Sequence, residues 1–180
     1  MKKQIIVMVM LFAFVFAGNA VYAQANNTVN QQEFNKAIVS SIINLSSKIT
    51  SGKVSQEKKC ALLAERMDKY ESYYAQPVSD PTLKLLYAVD YFQDAQDMEK
   101  ECLGGAKKTR YDFIRWEYFG RMQETILGAY EKCVDNKLNR TDDPFSYRYI
   151  ATYERVLSAF KDSMQPEALT HFNKLTAMVK

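Results

Sequence analysis

From Phe34 onward, apolar side chains recur every three or four positions in stretch after stretch, which is the spacing of an α-helix with one buried face. Phe34, Ile38, Ile42, Leu45 and Ile49 make the first such row, and Cys60, Leu63, Met67, Tyr70 and Tyr74 the second. Leu85, Ala88, Phe92, Ala95, Met98 and Cys102 make a third, and Trp116, Phe119, Met122, Ile126, Tyr130, Cys133 and Val134 a fourth. Ile150, Tyr153, Leu157, Phe160 and Met164 form a fifth, and Leu169, Phe172, Leu175, Thr176 and Val179 a shorter sixth. Strand signals are missing: no sustained two-residue alternation occurs, and no Asn-Gly or Asp-Gly pair marks a hairpin.

The breaks between rows carry helix punctuation. Asn30 followed by Glu33 has the form of a capping box, opening a helix that runs to about Ser51, with Gly52 as the residue that takes the left-handed turn. Ser55 caps the second helix, which stops before Pro77. Asp80-Pro81 and Asp143-Pro144 each pair a cap with a proline at the first helical position, where a missing N–H costs nothing. Gly104-Gly105 ends the third helix; the fourth is predicted from about Thr109 to Asn139, and Pro166 opens the last. Gly120 and Gly128 each weaken the fourth by about 1 kcal/mol relative to Ala and mark a bend or a close helix approach. Long helices joined by short loops pack as antiparallel neighbours. The expected fold is therefore all-α, an up-and-down antiparallel bundle of about five to six helices. It forms one domain over residues 31–180, with no 34-residue repeat.

The first residues follow a different logic. Lys2 and Lys3 precede an unbroken apolar run from Ile5 to Ala17, then Gly18-Asn19, with Val21 and Ala23 at the −3 and −1 positions of a cut before Gln24. This is the pattern of a cleavable secretory signal over residues 1–23, and the run is shorter than the ~20 residues of a membrane span. The polar segment 24–30 is expected to be disordered, and the mature chain to be periplasmic or extracellular without stable membrane insertion. The formal net charge of +3 includes Lys2 and Lys3, so cleavage leaves 22 basic against 21 acidic side chains. Such a balance gives no electrostatic reason to expect nucleic acid as a partner.

Export permits disulfides, and Cys60, Cys102 and Cys133 are the candidates. At 1.5 Å per residue, Cys60 and Cys102 stand about 24 and 30 Å above the turn joining the second and third helices, both on apolar rows. Cys133 lies roughly 30 Å away. A Cys60–Cys102 staple is the expected pairing, and three buried thiols the alternative.

Chemistry-bearing motifs are sparse. With His171 as the one histidine, the chain offers neither the paired Glu-x-x-His set of di-iron bundles nor a Cys-x-x-Cys-His haem attachment. A Gly-x-Ser-x-Gly elbow and a phosphate loop are likewise missing, so an enzyme is not expected, and no cofactor or metal is assigned. Asp90, Asp94, Asp97 and Glu101 form an acidic stripe opposite the apolar side of the third helix, where a solvated face belongs. Such a stripe is also able to attract a basic partner. Tyrosine is in excess, with clusters at Tyr70/Tyr73/Tyr74 and Tyr147/Tyr149/Tyr153 that the topology brings to one end of the bundle. Tyr73, Tyr147 and Tyr149 lie on or beyond the row edges and either roof that end or form an interaction patch. Sequons at Asn26, Asn44 and Asn139 matter only in a glycosylating host. The leading expectation is an exported, non-enzymatic helical binding or accessory protein: an adaptor, chaperone-like subunit or inhibitor with a protein partner. A carrier of a small apolar ligand or haem is the alternative, and an enzyme without a recognisable motif the third class.

Overall fold

A computed structural model describes residues 30–77, 79–104, 114–139 and 144–179, the side chains of 144–148 excepted. The leader (1–23), most of the polar segment after it, the first part of the expected fourth helix and the Asp143 cap lie outside the described residues. Among those described, the chain is an all-α bundle of six helices without strands. They are α1 (30–50), α2 (Gln56–Tyr74), α3 (Pro81–Asp97), α4 (Trp116–Leu138), α5 (Pro144–Ala159) and α6 (Pro166–Val179).

Local chemistry starts and stops these helices much as the sequence requires. Ser55 accepts from the Lys58 N–H at the head of α2, and Asp80 accepts from the N–H groups of Thr82 and Leu83 ahead of Pro81. Gly52 and Gly104 take φ of +66° and +61° at the ends of α1 and of the turn that follows α3. Four boundaries differ from expectation. Ile114 and Arg115, inside the expected fourth helix, are not helical; Arg115 is extended (φ −82°, ψ 100°), so α4 opens at Trp116 and not near Thr109. Asn30 is already helical. After Asp97 the helix widens into a π turn, Met98–Cys102, in which Leu103 N–H reaches back to the Met98 carbonyl. The fifth row ends in a 3-10 turn, Lys161–Ser163, so α5 is shorter than its apolar stripe. Trp116 and Phe34, placed on apolar rows by their spacing, are 49% and 51% exposed.

Directions alternate along the chain. Gln31 bonds to Gln76 while Ser46 meets Arg66, so α1 runs antiparallel to α2. Cys60 meets Cys102 at one end of the α2–α3 pair and Tyr74 bonds to the Lys84 carbonyl at the other. Phe119 lies against both Phe92 and Phe160, joining the head of α4 to the tails of α3 and α5. Finally, α6 runs parallel to α4, with Tyr130 beside Thr176 and Lys137 donating to the Val179 carbonyl. The result is the up-and-down bundle, with α3 and α4 at its centre.

Phe92, Phe119 and Phe160 fill the middle. Their ring centroids lie 4.6, 5.0 and 5.4 Å apart, one pair stacked and two edge-to-face, the arrangements the aromatic quadrupole favours. Gly120 and Gly128 do not mark close helix approaches: a Cβ built on either meets nothing within 4 Å.

Candidate functional site

The sequence pointed to four places: a cysteine pair, an acidic stripe, a tyrosine patch and a lone histidine. Cys60 and Cys102 form a disulfide, their Cα atoms 5.8 Å apart. It closes the α2–α3 hairpin at the end remote from its loop. Cys133 stands outside this bridge on α4, half-buried.

The acidic stripe is not a solvated face. Asp94 is only 2% exposed, and Arg66 of α2 donates from Nε and Nη2 to its two carboxylate oxygens at 2.8 and 2.6 Å. Arg66 also donates from Nη1 to Ser46 of α1, so one guanidinium ties three helices. Glu101 pairs with Lys59 and accepts from Gln56, and these contacts hold its carboxyl below the usual range. Burial pushes Asp90 up, an effect that Arg66 partly offsets. A wheel drawn on one helix misplaced these carboxylates because α3 has neighbours on more than one side, and α2 brings cations to this one. The four acids share a row, but Asp94 and Glu101 are occupied within the fold and leave no continuous acidic surface for a basic partner.

A second buried carboxylate was not foreseen. Glu71, on α2, accepts from the Tyr91 hydroxyl at 2.7 Å through Oε1, and the Arg115 Nε lies 3.1 Å from Oε2. Burial raises its pKa, against the lowering effect of Tyr91 and Arg115. Glu71 at a seam of tyrosines gave no motif; the one sequence signal was a glutamate adjacent to the buried row of α2. The cluster fastens the entry of α4 to the α2–α3 pair.

The tyrosine patch divides. Tyr73 is 2% exposed, packs edge-to-face on Tyr87 with centroids 5.1 Å apart, and its hydroxyl accepts from the Asp80 N–H. It is a core residue, not part of a surface patch, because α3 closes over the side of α2 that a single-helix wheel left open. Tyr149, in contrast, is 47% exposed and stacks on Tyr153 at 5.8 Å. The side chain of Tyr147 lies outside the described residues.

Tyr149 and Tyr153 instead form one wall of a groove between α3 and α5. Thr152 completes that wall; Thr82, Leu85, Leu86 and Val89 make the other, around about 300 Å³. Leu86 is 50% exposed at the rim. Burial pushes the Tyr153 phenol up to about 12, so that phenol stays uncharged through the physiological range. The groove went unseen in the sequence because Leu86 falls between the apolar positions of its own helix and gains a partner only across α5.

His171 is partly exposed and its Nε2 lies 3.2 Å from Glu131. Among the described residues no group of three or more His, Cys, Asp or Glu stands placed to hold a metal ion, and no helix is long and apolar enough to cross a membrane. Comparison with known family models, curated proteins and solved structures finds no match to this chain.

Proposed function

We propose that this is an exported, non-enzymatic binding protein that uses the α3–α5 groove to receive apolar side chains of a protein partner. The observation that carries the reading is the groove itself: Leu86 and Tyr149, half-exposed and facing one another across an uncharged cleft. Exposed apolar groups gathered in one groove mark an interaction site, and tyrosine is enriched at the centres of interfaces. Export is supported by the leader-like first 23 residues and by the Cys60–Cys102 bridge, which belongs to an oxidising compartment. The interior speaks for binding at the surface, since the space in which a bundle holds a carried ligand is filled here by Phe92, Phe119 and Phe160.

The experiment places a photo-crosslinking residue at Thr152 and irradiates the protein in the envelope fraction of its own host. One discrete polypeptide adduct is expected, lost when Leu86→Asp is added, with the melting temperature kept. No adduct, or one indifferent to Leu86→Asp, overturns the reading. A small molecule retained in native mass spectra would replace it with a carrier.

A further inference from the structure

The lining of the α3–α5 groove is neutral, but one end of the seam carries a charge. Thr82 to Val89 spans about 10 Å of α3. Beyond that stretch, Arg155 of α5 donates from Nη2 to the Gln93 Oε1 of α3 at 3.3 Å. Gln93 stands one turn past Val89, and Arg155 one turn past Thr152. The bridge therefore crosses the same seam between the two parallel helices, about 6 Å beyond the apolar stretch.

Arg155 is exposed, and a neutral amide oxygen leaves its guanidinium the full positive charge. Among the described side chains, the ionisable neighbours on α3 and α5 are engaged elsewhere. Lys84 lies over the Tyr74 ring of α2, and Asp90 interacts with Arg66 of the same helix. Asp97 acts electrostatically on the buried Asp94, and Glu154 on Tyr130 of α4. The groove is thus an apolar trough with a cation at one end.

Its walls also select the form of the occupant. Both are helices, whose backbone N–H and C=O groups are spent within them, so no ladder is on offer to an extended peptide. An incoming segment must satisfy its own backbone, which a helix does. On a helix, two side chains three or four residues apart fit within the 10 Å of trough, and one further turn reaches Arg155.

We infer, on the strength of the groove as the partner-binding surface, that it takes an amphipathic helix with two apolar side chains one turn apart and an Asp or Glu one turn beyond them. The carboxylate pairs with Arg155, whose planar fork matches it with two parallel N–H···O bonds. At an exposed rim such a pair is worth about fivefold in affinity. Its larger effect is on direction: with the cation at one end, the acid decides which way the helix lies.

The purified protein is used to select from a random peptide library displayed on phage, with peptides that also bind Leu86→Asp removed. The survivors are expected to share two apolar positions three or four residues apart and an Asp or Glu three or four residues further on. Selection on Arg155→Glu should place Lys or Arg at that last position instead. The consensus peptide, once synthesised, should bind Arg155→Glu roughly tenfold more weakly than the natural protein, and its Lys counterpart should reverse that order. The same consensus from both proteins, without preference for an acid, overturns the Arg155 anchor and leaves the groove as a binding surface. Apolar positions two residues apart, the spacing of an extended chain, overturn the helical partner. No peptide that distinguishes the protein from Leu86→Asp overturns the anchor and the groove together.

Discussion

Arg66 on α2 grips both carboxylate oxygens of Asp94 on α3, at 2.8 and 2.6 Å, with the carboxylate 2% exposed to solvent. Two buried charges in this geometry satisfy one another, but each is a liability alone. Arg66→Met should therefore cost about 3–5 kcal/mol at neutral pH, since it strands the Asp94 charge and frees Ser46 of α1 as well. The double variant Arg66→Met/Asp94→Leu should recover most of that loss. Urea midpoints of the two proteins check this; a double variant no better than the single one would show that the pair is not the source.

The same carboxylate makes stability depend on pH. Burial is the largest influence on Asp94 and raises it from 3.8 to about 6, against the lowering effect of Arg66 and with help from Asp90 and Asp97. Because the folded chain binds this proton more readily than the unfolded one, the contribution is complete below about pH 4 and is lost as pH rises through about 6. Asp94→Asn cannot titrate. The stability of the natural protein relative to that variant should thus fall between pH 4 and pH 7; a flat difference across this window would refute the assignment.

Cys60 and Cys102 close a loop of 42 residues. On the loop-entropy model this constrains the unfolded chain by ~4 kcal/mol. Replacing both by Ser should lower the melting temperature by roughly 8–16 °C at about 2–4 °C per kcal/mol for a chain of this size. Alkylation of the unfolded, unreduced protein should add a single label, at Cys133. Three labels would mean that the bridge does not form.

That bridge was legible in the sequence because helical rise is regular: heights of about 24 and 30 Å above the link between α2 and α3 bring both cysteines near the same end of the pair. The same regularity gave the rows Leu63–Met67–Tyr70–Tyr74 and Ile150–Tyr153–Leu157–Phe160, and the Ser55 and Asp80 caps, all of which are decided within a few residues of chain. What depends on a neighbouring helix was not legible. Asp94 sits opposite the apolar centre of α3, and nothing within α3 reveals that Arg66 waits there. Leu86 and Tyr149 meet only across two helices, and Trp116 of α4 comes to share a cleft with Ser163 only through the 3-10 turn at Lys161–Ser163, which the apolar row ran straight through. Surface sites in a bundle are made between helices, and single-helix patterns read only one side of them.

Tyr73 and Tyr149, alike in composition terms, should respond oppositely to truncation. Tyr73→Ser removes a fully packed ring from Tyr87 and an acceptor from the Asp80 N–H. A loss of about 3–5 kcal/mol is expected. Tyr149→Ser exposes one face of Tyr153 and should cost no more than about 1 kcal/mol. Parallel denaturation curves decide the matter, and equal losses would place Tyr149 in the core as well.

Glycines in this chain should also differ in sign. Gly128 sits mid-way along α4 with ordinary helical backbone, and a Cβ there meets nothing within 4 Å. Gly128→Ala removes backbone freedom from the unfolded chain and adds no clash, so it should stabilise by about 1 kcal/mol, or roughly 2–4 °C. Gly52 has equally open surroundings but φ of +66°. There Ala meets its own carbonyl rather than a neighbour, and a loss of about 1–2 kcal/mol is expected. Since neither position is crowded, differential scanning calorimetry of the two variants isolates backbone conformation from packing; shifts of the same sign would mean that α1 ends differently from the left-handed turn at Gly52.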